Sequence, residues 1–86
     1  MEPFLHKSFK KQFAKLPPKV KKKFFERVDM FLKDKFNPIL SNHSVDSVYP
    51  GCRSINITGD YRALYEPQTE DFVVFTKIGT HSELYG

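Results

Sequence analysis

The sequence predicts an α+β domain in which an N-terminal helical hairpin packs on a small antiparallel sheet, and three observations carry that expectation. Apolar residues recur at helical spacing through the first third of the chain, Pro17-Pro18 interrupts that period once, and beyond Gly51 the period changes to the alternation of strands.

Taken in order, residues 1–5 can add an edge strand, with Pro3 restricting how far it pairs. Phe9, Phe13 and Leu16 then share one stripe of a helix over residues 7–16, while Lys10, Lys11 and Lys15 point elsewhere. Pro17 ends that helix and Pro18 suits the first turn of the next. Val20, Phe24, Val28, Phe31 and Leu32 recur near the helical period and predict a second helix ending at Lys33, its other face rich in lysine. Residues 34–42 read as an irregular connection around Asn37-Pro38, and residues 41–51 as a loop. Ile55 and Ile57 alternate with Ser54, Asn56 and Thr58 in a strand over residues 52–58. A Thr58-Gly59-Asp60 turn leads to a second strand over residues 61–66. After a further turn, the nearly unbroken apolar run 72–78 reads as a central strand covered on both faces. One face of this meander takes the helices, and the other is left for a ligand.

A chain of 86 residues gives one domain, 1–86, with a thin core built largely from nine phenylalanines. Cys52 is the single cysteine, which excludes an internal disulfide and favours a cytoplasmic setting. Residues 1–11 lack the apolar stretch of a signal peptide, and no run approaches membrane-spanning length. The net charge of +4 is unevenly spread: Lys19, Lys21, Lys22, Lys23 and Arg27 belong to a strongly basic first half that attracts polyanions or an acidic partner segment. A solvated helix face explains the same lysines equally well.

Candidate chemistry gathers toward the C-terminus. Thr80-His81-Ser82-Glu83 has the spacing of a capping box, so a short helix starts at Thr80 and carries His81 in its first turn, where free backbone N–H groups favour a phosphate. Asp60 and Arg62 leave the glycine turn together; Arg62 offers a permanent charge for a phosphorane, although a turn residue and a surface ion pair account for the two just as well. His43 lies in the irregular loop, and His6, His43 and His81 are too scattered to make a metal site. Cys52 has no histidine partner that would make it a nucleophile. Tyr49, Tyr61, Tyr65 and Tyr85 suit base stacking or core packing.

The string from Gly51 through Asn56, Gly59, Asp60 and Arg62 to Tyr65, followed by Ile78-Gly79-Thr80-His81-Ser82-Glu83-Leu84-Tyr85, resembles the YafQ-like branch of the RelE/ParE toxin superfamily. With Lys7-Ser8-Phe9-Lys10-Lys11 the resemblance spans nearly the whole chain. It implies a RelE-like, microbial-ribonuclease-like fold and a toxin that cleaves mRNA on the ribosome without metal or other cofactor, the substrate's own 2′-hydroxyl attacking the adjacent phosphate. It also implies a cognate antitoxin as partner. Carried over by position, His81 is the general acid, His43 and Asp60 assist proton transfer, Arg62 steadies the phosphate and Tyr85 supports the reacting nucleotide. Lys77, Arg53, Lys21, Lys22 and Lys23 are the expected RNA contacts. The chain departs from the pattern at Asn56, where the branch can carry a catalytic histidine, at Asp46-Ser47, which replace a Lys-Gly pair, and at Cys52, which replaces an aromatic. Two alternatives stand beside the nuclease: a ParE-like toxin that poisons gyrase, and a non-catalytic module that binds RNA or antitoxin through its basic helices.

Overall fold

The computed structural model describes residues 2–86 and follows the order β1 (Glu2–Leu5), α1 (Lys7–Ala14), α2 (Pro18–Lys33), a 3₁₀ turn (Pro38–Leu40), β2 (His43–Ser44), β3 (Arg53–Asn56), β4 (Tyr61–Pro67), β5 (Phe72–Thr80) and α3 (His81–Tyr85). The edge strand expected over residues 1–5 is present from Glu2, with Met1 outside the described residues. The strands form one sheet in the order β1-β5-β4-β3-β2. The meander β3-β4-β5 is antiparallel, as is the short β2 against β3, whereas β1 runs parallel to β5 and makes the sheet mixed.

The helical hairpin forms for the reasons its pattern gives. Pro18 occupies the first turn of α2, where its missing N–H costs nothing, and Val20, Phe24, Val28 and Phe31 bury one stripe. That stripe meets Phe9 from α1 and Ile55, Ile57, Ala63, Tyr65, Val73, Phe75 and Ile78 from the sheet. Aromatic rings dominate the contact: Phe9 and Phe24 lie 5.2 Å apart between centroids, Phe24 and Phe75 5.5 Å, and Phe31 and Tyr65 5.0 Å. Each such ring removes a large apolar area from water and adds an edge-to-face preference.

Where β1 ends, α1 takes over the exposed edge of β5. His6 N–H donates to the Phe75 carbonyl, Ser8 Oγ donates to the Thr76 carbonyl at 2.8 Å, and Gln12 Oε1 accepts from Ile78 N–H at 2.9 Å. Side chains thus satisfy backbone groups that a longer β1 would have paired.

Two expectations are corrected. The apolar run of β5 is not covered on both faces: Val73, Phe75 and Ile78 are buried, while Val74, Thr76 and Lys77 are half-exposed. The doubly covered strand is β4, where Ala63, Leu64 and Tyr65 are buried in succession because β4 is the middle strand and because the second face carries its own small core. That core consists of Val45, Cys52, Leu64 and Leu84, flanked by Tyr49 and Tyr85, so the open face is bare only in part. Within residues 41–51, read as a loop, His43 and Ser44 form β2, and the rest is closed by Val45 N–H to the carbonyl of Cys52, by Tyr49 N–H to the Val45 carbonyl and by Gly51 N–H to the Asp46 carboxylate at 2.6 Å. Gly51 has φ +78, a left-handed conformation that glycine adopts without a steric penalty. Tyr49 Oη donates to the Leu84 carbonyl and ties this loop to α3.

Candidate functional site

On the sheet face opposite the helical hairpin, the 41–48 segment and α3 stand up on either side of β3 and β4. Between them is a cavity of about 530 Å³ lined by Ser41, His43, Ser44, Val45, Ser54, Asn56, Arg62, His81 and Tyr85, among others. Strand alternation builds its floor. Ser54 and Asn56 point away from the buried Ile55, and the register sets Ser54 opposite His43 on one side and Leu64 on the other, with Asn56 opposite Arg62.

Each polar wall residue is held by the backbone around it. Ser41 lies in the left-handed region at φ 46, and its carbonyl is 2.7 Å from Nδ1 of His43. A carbonyl only accepts, so Nδ1 carries the proton and Nε2 of the neutral ring keeps a free lone pair. Arg62 donates from Nη1 to the carbonyls of Thr58, Gly59 and Tyr61 at 3.0, 3.1 and 3.1 Å, which fixes the guanidinium to the turn. Nη2 and Nε have no partner among the described residues, so the rest of the fork is available to an anion.

His81 is placed by the capping box that its flanks predict. Thr80 Oγ1 accepts from Glu83 N–H at 3.1 Å, and Glu83 Oε1 accepts from Thr80 N–H at 2.8 Å. Donation from the Thr80 N–H, with help from the Thr80 hydroxyl, favours the charged form and holds the Glu83 carboxyl below its usual range. His81 N–H donates to the Asp60 carbonyl at 3.0 Å, which joins α3 to the turn that carries Arg62. The ring of His81 lies 4.7 Å from that of Tyr85, which in turn meets Tyr49 at 6.0 Å. Gly79 permits this fold-back, since a Cβ there would lie 3.2 Å from Glu83 Oε1 and 3.7 Å from Leu84 Cδ2.

The cavity therefore gathers His81, His43, Arg62 and Tyr85. It does not gather Asp60 by its side chain: Asp60 is exposed, the cavity lining does not include it, and its contribution is the carbonyl that anchors His81. Arg53 is directed elsewhere as well. It shares the helix-side face with Ile55, donates from Nε to Asn42 Oδ1 at 2.8 Å and lies over the ring of Phe36, because a residue two places from a core isoleucine must point the same way. Lys77 sits with Nζ 5.7 Å from the Tyr49 ring, beside the cavity's support and outside its lining. Lys21 covers Phe13, and Lys22 and Lys23 line a groove with Lys19, Glu26 and Thr58 on the helix side. The lysine cluster is not without counter-charge, since Lys23 pairs with Glu26 at 3.4 Å. A second groove, lined by Lys23, Arg27, Asn56, Thr58 and Gly59, shares Asn56 with the cavity and so connects the two sides around the turn.

Ser41 and Ser54 were not singled out by the sequence as site groups, and Asn56 was marked only as a departure from the family pattern. The signal for Ser54 and Asn56 was present in the alternation with Ile55 and Ile57; for Ser41 there was none, because its role lies in its backbone. Burial pushes the Cys52 thiol above its ordinary value, which suits a packed and protonated side chain. Among the described residues, no three His, Cys, Asp or Glu side chains converge as metal ligands, and no helix is long and apolar enough to cross a membrane. Chemically, the cavity offers two imidazoles, a partly free guanidinium, an amide and hydroxyls, a set suited to moving protons beside a phosphate.

Residues 4–85 match the family model described as the ParE toxin of the type II toxin-antitoxin system parDE. No curated protein matches the sequence. Among solved structures, YafQ from E. coli strain BL21(DE3) superposes with a TM-score of 0.81 at 18% identity, over 99% of this chain and 98% of that one. RelE in the RelB-RelE antitoxin-toxin complex from Methanococcus jannaschii gives 0.74 at 18% identity over 95% and 94%, and the YoeB/ParE toxin from Agrobacterium tumefaciens 0.75 at 13% over 94% and 99%. These likenesses establish a shared fold, and the family match covers nearly the whole chain. The chain belongs to the ParE toxin family of type II toxin-antitoxin systems, within the RelE/ParE superfamily, and its fold is the YafQ-like form.

Proposed function

We propose that this toxin is a ribosome-dependent endoribonuclease of the cytoplasm, cleaving mRNA through attack of the substrate's 2′-hydroxyl and restrained by a cognate antitoxin. The observation that supports this reading best is the convergence of His43, His81 and Arg62 on one cavity, with the His43 tautomer fixed by Ser41. His43 Nε2 takes the proton of the 2′-hydroxyl as that oxygen bonds to phosphorus. The P–O5′ bond breaks, and the leaving 5′-oxygen takes a proton from His81. The products are a 2′,3′-cyclic phosphate and a 5′-hydroxyl. Arg62 donates to the phosphorane oxygens, and Tyr85 braces His81 and the reacting nucleotide. Asn56, where the resembling branch can carry a histidine, supplies an amide and no proton, which leaves acid–base work to the two histidines. The groove past Asn56 toward Lys23 and Arg27 gives the flanking RNA backbone a cationic path. Antitoxin partnership follows from the family and from structurally similar chains solved as the DinJ-YafQ and RelB-RelE complexes.

Induced expression with mapping of mRNA 5′ ends tests the proposal. New 5′ ends within translated frames are expected from the wild-type chain and not from His81→Ala. A second reading, gyrase poisoning without RNA chemistry, is favoured by the ParE description of the family. It predicts DNA breaks, intact mRNA and undiminished toxicity in His81→Ala.

A further inference from the structure

Away from the cavity, the turn after α2 presents an aromatic ring beside two cations. Phe36 is 58% exposed, with Lys35 Nζ and the guanidinium carbon of Arg53 each 5.6 Å from its ring centroid. Single exposed apolar residues are ordinary, and it is the bracing of the cation that sets this one apart. Arg53 Nε donates to Asn42 Oδ1 at 2.8 Å, and the Asn42 amide nitrogen donates in turn to the Lys35 carbonyl at 2.9 Å and to Tyr65 Oη at 2.7 Å. Tyr65 is buried in the aromatic core, so this run of bonds fixes the guanidinium to the interior. Phe36 is held as well, its N–H donating to Asp34 Oδ1 at 3.1 Å.

Only one corner of the Arg53 fork is used. Among the described residues its terminal nitrogens have no partner, and Lys35 has no carboxylate within ion-pair distance. A flat π face beside a braced, partly free guanidinium matches the two parts of a nucleotide, a base to stack and a phosphate to bind. The position is specific too. Asn42 lies between Ser41 and His43, which line the cavity, and Arg53 stands opposite Ser44 on the edge strand β2. The pair Phe36 and Arg53 is therefore one step over that edge from the cavity, where a strand leaving it would cross.

We infer that Phe36, Arg53 and Lys35 form a second RNA subsite outside the cavity, stacking an unpaired base on Phe36 and holding its phosphate on Arg53. The inference rests on the nuclease reading for its ligand and adds to it a stacking residue, Phe36, and a positioning residue, Asn42, that no motif marks. Because every base has a π face, the subsite adds affinity without choosing a sequence.

Affinity is measured by fluorescence anisotropy for a short labelled 2′-O-methyl oligoribonucleotide, which has no 2′-hydroxyl to attack, and thermal melts are recorded on the same proteins. Phe36→Ala should weaken binding about 5- to 150-fold, Phe36→Tyr should keep it, and Phe36→Leu should not, since an aliphatic chain has no π face. Arg53→Gln should lower the slope of log affinity against log salt by about 0.7, the share of one phosphate on a single strand. Melting temperatures of the Phe36 variants should hold, because the ring is largely in solvent. Unchanged affinity in Phe36→Ala overturns the inference, as does full affinity in Phe36→Leu or a loss that accompanies a fall in melting temperature. So does unchanged oligonucleotide affinity combined with weaker capture of the cognate antitoxin, which would make the patch a protein-binding surface. Failure of the wild-type chain to bind the oligonucleotide overturns it while leaving cleavage at the cavity, read from mRNA 5′ ends, untouched. Absence of cleavage with binding intact would strike the nuclease reading alone.

Discussion

Arg62 shows how one residue divides its work. Three turn carbonyls hold Nη1, and what remains of the fork faces the cavity beside Asn56. Lysine cannot reproduce this, since its one ammonium nitrogen cannot stand both at the turn carbonyls and at a phosphate, as the separate nitrogens of a guanidinium can. Arg62→Ala should lower single-turnover cleavage by about 10²- to 10³-fold, and Arg62→Lys should restore little of it, with the melting temperature of both variants reporting that the fold persists. Full activity in Arg62→Lys would show that charge alone suffices. Residues such as Arg62 and His81 were legible in the sequence because a glycine turn and a capping box fix where they stand. Arg53 and the Asp60 carboxylate were misplaced for different reasons. Arg53 follows the alternation of Ile55 and Ile57 to the helix side, a fact the sequence contained, whereas the direction of Asp60 depends on turn geometry that composition does not specify.

At the scale of elements, α3 is too short to be stable alone, and its shape depends on contacts at both ends. The capping box holds its start, the Asp60 carbonyl ties it to the β3–β4 turn, and Leu84 with the Tyr49 bond holds its end. Because Glu83 is stabilised as a carboxylate, its folded value lies below the ordinary 4.5, and the cap's contribution is complete above that ordinary value and lost as pH falls through the lowered one. NMR of the Thr80 and Glu83 amides should follow this acid loss, and Glu83→Gln should abolish it; a pH-independent amide pattern in the wild-type chain would contradict the cap. The helical hairpin and meander were readable from periodicity, since amphipathic helices and alternating strands are local patterns. The β2 bridge was not, because a two-residue pairing leaves no period, nor was the parallel register of β1, which is set by the rest of the chain returning beside it.

For the whole molecule, the sheet separates stability from chemistry. Its helix side holds a core of interlocking aromatic rings, and its other side carries a small second core that raises the 41–48 segment and α3 into walls. The cationic groove that turns the corner at Asn56 connects the basic helix to the cavity, so charge on one face can serve a site on the other. The central claim is that His43 and His81 act as one proton-transfer unit, and single-turnover cleavage of ribosome-bound mRNA tests it most directly. His43→Ala and His81→Ala should each fall by about 10²- to 10⁴-fold with unchanged circular dichroism melts, and the double variant should be little worse than either, as expected for groups that work in a single step. A folded His81→Ala protein that cleaves at the wild-type rate would contradict the account.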